Sequence, residues 1–148
     1  MSIDSPCQTE CRLRVSYHAE MSDYAIKNIR DIEDSAVKFG LSPQVEARFG
    51  RNALEAQKGG FSYQKLEPNY RQGFGHVHKA QEEIYVIVSG GGRMKLGDDI
   101  VDLKQWDSIR VSPSTPRAFE AGPDGIELIA FGAGESGDSN QLQDFWTD

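Results

Sequence analysis

Residues 76–90 read HVHKAQEEIYVIVSG. Their second half, 83–88, is the strongest strand signal in the chain, with Glu83, Tyr85 and Ile87 on one face and Ile84, Val86 and Val88 on the other. On a strand, residues i and i+2 leave the same face about 6.5–7 Å apart, so His76 and His78 are close enough to converge on one ion. Lys79, Ala80, Gln81 and Glu82 leave room for a tight turn, after which Glu83 can set its carboxylate beside both imidazoles. Two neutral imidazoles and a carboxylate, with positions left open, form a facial set that suits Fe(II) and accepts Mn, Ni, Co or Zn.

Working outward, short alternating segments recur at close intervals with turn residues between them, the pattern of an all-β sandwich or barrel. Upstream of the quoted stretch, strands are expected at 24–29, 45–49, 61–66 and 76–78. Downstream they are expected at 93–96, 100–103, 107–111, 118–121 and 126–131. Gly90, Gly91 and Gly92 read as a turn, as do Gly97–Asp98–Asp99 and Gly122–Pro123–Asp124–Gly125. The helix candidates are short, at 52–56 or in the tail at 140–146.

With these residues in view, the sequence resembles the cupin family. His76, His78, Glu83 and Gly90 fit the first cupin motif with its four-residue spacing between histidine pair and glutamate. The motif's opening glycine falls on Tyr70, with Gly73 and Gly75 nearby. The second motif is degenerate. Its consensus positions fall on Trp106, Ser112, Ser114, Arg117 and Ala121, while Asp107, Val111, Pro116 and Phe119 keep its general character. The resemblance covers about residues 61–131 and implies a double-stranded β-helix, or jelly roll, with ligands lining the barrel. It implies a homodimer and a divalent transition metal on His76, His78 and Glu83, held weakly or substoichiometrically if at all because the fourth ligand is missing. The fourth ligand of the family, a histidine, is replaced by Arg117. A guanidinium has no lone pair to give, so Arg117 is expected instead to bind substrate, together with Tyr85 and Phe119; the other arrangement is a vestigial polar cluster of His76, His78, Glu83 and Arg117 in which Glu83 pairs with Arg117.

Composition limits the rest. A chain of 148 residues with 38% hydrophobic and 26% charged residues can bury one core. The five-residue run 84–88 is its longest apolar candidate, far short of the ~20 residues of a membrane-spanning helix. A net charge of -7 with scattered basic residues argues against nucleic acid as a partner. Residues 1–20 show no period and no secretory pattern, and Met21 resembles a second start, so they read as a loose extension of a single domain over 21–148. Cys7 and Cys11 read as reduced surface thiols of a cytoplasmic protein. The expected ligand is a small, anionic molecule. The expected activity is that of a dioxygenase- or isomerase-like metal enzyme, and the alternative is a non-catalytic binding module with a vestigial metal site.

Overall fold

A computed structural model describes residues 23–135 and 137–147. The expected extension at 1–20, with Cys7, Cys11 and His18, lies outside the described residues. The elements run in the order β1 (Val45–Phe49), α1 (Gly50–Ala53), β2 (Gly60–Leu66), β3 (Phe74–His78), β4 (Glu83–Leu96), β5 (Asp99–Lys104), β6 (Ser108–Val111), β7 (Arg117–Gly132) and β8 (Ser139–Gln143). Among the described residues, the eight strands join one curled antiparallel sheet. Its order is β1-β2-β7-β3-β8, and β4 adds pairings to β5, β6 and β7. The fold is the all-β barrel that the sequence pattern predicts.

Two long strands organise it. β4 and β7 pair antiparallel from Glu83↔Gly132 to Leu96↔Arg117, with register shifts at Ile87/Ser89 and Gly90/Gly92. The three consecutive glycines therefore do not turn the chain. They lie inside β4, where it is squeezed between two neighbours. A Cβ on Gly92 would stand 2.1 Å from the Glu120 carbonyl oxygen, and one on Gly91 would stand 2.5 Å from that of Leu103. Only a residue without a Cβ permits that approach. Gly122–Gly125 is likewise a bend within β7 and not a hairpin, because both flanks pair with β4. Only the third expected turn closes a hairpin, with Leu96 opposite Asp99 and Gly97 at φ 61°.

Three further expectations are corrected. Residues 24–29 form no strand; Tyr24 and Ile26 are exposed and a 3-10 turn follows at Ile29–Asp31. The tail at 140–146 holds no helix, since β8 instead pairs along β3 in the register His76↔Gln141 and His78↔Ser139. The short helix is α1, displaced toward Gly50 from the expected 52–56.

Inside the barrel, Leu66, Ile87, Met94, Phe119, Ile126 and Leu128 are buried in one cluster with Tyr85. Tyr85 and Phe119 meet edge to face with ring centroids 5.2 Å apart. As the two-residue alternation predicts, Tyr85 and Ile87 are buried, while Ile84 is 44% exposed.

Candidate metal centre

β3 supplies His76 and His78 from one face, and β4 supplies Glu83 across from them. The ligand-capable atoms of the three side chains all lie within 4.8 Å of one another. Glu83 Oε2 stands 3.4 Å from His76 Nε2 and 3.3 Å from His78 Nε2. Bonds of about 2.0–2.2 Å to a metal set neighbouring ligand atoms about 3.0 Å apart in an octahedron and about 3.4 Å apart in a tetrahedron. The donor types, and the two spacings to Glu83, therefore suit a divalent ion.

The three residues are held differently. His76 keeps a quarter of its side-chain surface exposed, whereas His78 keeps 8% and Glu83 12%. Burial pushes the His78 imidazole below its ordinary pKa; the Arg117 charge adds to this, and Glu83 opposes it. Burial alone would raise the Glu83 carboxyl. Hydrogen bonds with His76 and Tyr85, and the two imidazoles nearby, more than reverse that and bring it down to about 2. Glu83 is thus a carboxylate at any physiological pH. Tyr85 donates its hydroxyl proton to Glu83 Oε2, and burial raises its own pKa.

Arg117 completes the cluster. Its backbone pairs with His76, and its Nη2 donates to Glu83 Oε2 at 2.9 Å. Nε donates to the Tyr85 hydroxyl at 3.2 Å, and Nη1 donates to the carbonyls of Thr115 at 2.8 Å and Pro113 at 3.1 Å. The residue has no exposed surface. Tyr85 and Phe119, expected beside Arg117 at the substrate, are each only 1% exposed. Both arrangements left open by the sequence thus meet in one structure, since the triad converges and Glu83 also pairs with Arg117.

Two more residues belong to the site and were missed in the sequence. Gln81, in the β3–β4 turn, donates from Nε2 to Glu83 Oε1 at 3.0 Å and lies 3.4 Å from His78 Nε2. Its Oε1 accepts the Gly134 N–H at 2.6 Å. Asp138, just before β8, faces His78 Nδ1 with Oδ2 at 3.1 Å. Gln81 stood inside the quoted motif, yet nothing in an isolated glutamine marks it. Asp138 is 60 residues from His78 in the chain, and only the β3–β8 pairing brings the two together. Beside the cluster lies an open groove of about 690 Å³ whose wall includes Gln81, Ile84, Phe131, Gly132, Gly134 and Asp138. Gln81 reaches from that groove to Glu83.

Comparison with known proteins agrees with this architecture. A cupin protein from Bacteroides fragilis superposes with TM-score 0.63 at 21% identity, covering 79% of this chain and 89% of its own. A variant of oxalate decarboxylase from B. subtilis gives TM-score 0.65 at 18% identity, over 80% of this chain and 33% of that one. A variant of Streptomyces PAC13 with uridine gives 0.62 at 15% identity, over 81% and 91%. The chain has the cupin fold. No family model matches it. In sequence, 45 residues are 40% identical to the uncharacterized protein MJ1618 of Methanocaldococcus jannaschii, a match spanning 30% of this chain and 36% of the relative.

Proposed function

We propose that the protein is a metal-dependent enzyme acting on a small molecule, with His76, His78 and Glu83 as the protein ligands of a divalent transition metal. The observation that carries this reading is the convergence of three ligand atoms of the right kinds, two of them 3.3 and 3.4 Å from the third. When bound, such an ion supplies Lewis-acid or oxygen-activating chemistry at its open positions. The chain's own residues prepare the place. Arg117 and Tyr85 both donate to Glu83 Oε2 and hold the carboxylate in one orientation. Gln81, on the wall of the groove, donates to Glu83 and ties the β3–β4 turn to the site. Among proteins of similar fold, oxalate decarboxylase and the nucleoside dehydratase Pac13 are enzymes, which supports a catalytic reading of this site. The Arg117 guanidinium is committed to Glu83, Tyr85 and two carbonyls, so selection of an anionic ligand falls to other groups. Pairing of two copies across the half-exposed Ile84 and Phe131, which lie opposite each other on β4 and β7, belongs to the same reading.

The test is to load the purified protein with Fe(II), Mn(II) or Zn(II), offer it a panel of small carbonyl, carboxylate and nucleoside compounds, and detect products by mass spectrometry. Turnover should vanish on chelation and in the His76→Ala, His78→Ala double variant. A second reading, a binding module without turnover, draws on the Arg117–Glu83 pair, which already satisfies the carboxylate. Saturable binding with no product from any loaded form would establish it instead.

A further inference from the structure

Asp138 makes more contacts at this site than a turn residue needs. Its Oδ1 accepts the Ala80 N–H at 3.0 Å, and its Oδ2 accepts the Gln81 N–H at 3.0 Å. Its backbone carbonyl accepts the Lys79 N–H at 3.2 Å. The carboxylate is thereby fixed by the turn that joins the histidine strand to the glutamate strand. From that fixed position Oδ2 also faces His78 Nδ1 at 3.1 Å. A carboxylate only accepts, so the nitrogen facing it must carry the proton. In a neutral imidazole the other nitrogen, Nε2, is then a bare lone pair. That lone pair has a donor in the Gln81 Nε2–H, 3.4 Å away, while Glu83 Oε2, 3.3 Å off, already accepts from Tyr85 and Arg117.

We propose that Asp138 is the positioning residue of the metal centre: it locks His78 in the Nδ1–H tautomer and aims the Nε2 lone pair at the space shared with His76 and Glu83. The inference rests on the metal reading above for its consequence, but not for its mechanism. Without Asp138, the favourable neighbour of His78 is Glu83 itself, which would draw the proton to Nε2 and cap the lone pair a metal needs. Carboxylate partners of ligating histidines fix the tautomer and ring orientation in this way, and their loss typically weakens metal binding about 10–100-fold. The C-terminal segment is thereby part of the site, since Asp138 leads directly into β8, which runs along the histidine strand.

Two measurements decide it. In metal-free protein labelled with 15N-histidine, long-range 1H–15N spectra at neutral pH should show His78 protonated at Nδ1 alone. In Asp138→Ala the proton should move to Nε2 or divide between the two nitrogens. Calorimetric titration with Zn(II) alone should give a dissociation constant about 10–100-fold weaker in Asp138→Ala than in the unmodified protein. A turn-holding role without positioning would lower the melting temperature and leave the tautomer unchanged. His78 protonated at Nε2 or at both nitrogens in the unmodified protein overturns the proposal, as does an unchanged tautomer in the variant. If Asp138→Ala fails to fold, the tautomer of the unmodified protein still decides. If Zn(II) does not bind the unmodified protein, the metal reading fails, while the tautomer result upholds or overturns the role of Asp138 by itself.

Discussion

The barrel interior is filled in two ways. Around Ile87, Met94, Phe119 and Leu128 it is apolar, and each side chain is stabilised by leaving water. Around Glu83 and Arg117 the same interior holds a carboxylate, a guanidinium and two imidazoles, each of which costs free energy to bury and survives because its neighbours answer it. The boundary is one residue wide. Tyr85 packs its ring against Phe119 and turns its hydroxyl to Glu83. Apolar packing should tolerate the loss of any one member in proportion to its size, whereas the charged cluster is expected to respond as a unit.

That difference is sharpest at Arg117. Arg117→Leu leaves the buried Glu83 without its guanidinium partner and should cost about 3–5 kcal/mol in urea denaturation. The Arg117→Leu, Glu83→Leu double variant should recover a large part of that loss, and additive losses would break the idea of a unit. Leu128→Ala removes only apolar contacts and should cost about 2–5 kcal/mol. No second substitution among the charged residues should rescue it. Gly92→Ala tests the squeezed passage of β4, where the added methyl meets the Glu120 carbonyl oxygen; a loss of about 1–3 kcal/mol is expected. No change there would mean that β4 is free to move away.

Sequence legibility follows the same division. Alternation exposes a strand wherever one face is buried, so β4 with its Tyr85 and Ile87 was plain, and so was the same-face pair His76 and His78. A triple glycine looks alike whether it turns the chain or lets two backbones approach, and only the β4–β7 register separates the two uses. Residues 24–29 alternate without a partner strand, and alternation alone makes no ladder. The partners of the charged cluster were least legible. Arg117 was found because the resemblance fixes its position, but its full burial was not. Gln81 and Asp138 act through contacts that no local pattern announces.

The smallest effect is expected outside the barrel interior. Tyr63 donates to Glu127 Oε2 at 2.7 Å, with the Arg30 guanidinium 4.6 Å from its ring centroid. Burial, then the hydrogen bond and charge of Glu127, raise its pKa to about 12. Because the folded value lies above the ordinary 10.0, the stabilisation is full below pH 10 and is lost as pH rises through 10 toward 12. Tyr63→Phe should cost about 1 kcal/mol at neutral pH and should flatten the alkaline end of the stability profile. A phenolate absorbance that titrates completely near pH 10 would show that Tyr63 is not held as described.

The central claim is that His76, His78 and Glu83 hold a metal although Arg117 sits against the same carboxylate. Its most direct test is the metal content of protein exposed to excess Zn(II) or Mn(II) and then freed of unbound ion, measured by elemental analysis beside the His76→Ala, His78→Ala variant. The account predicts up to about one ion per chain, removable by mild chelation and absent from the variant. No ion on the unmodified protein, or equal content in both, would contradict it.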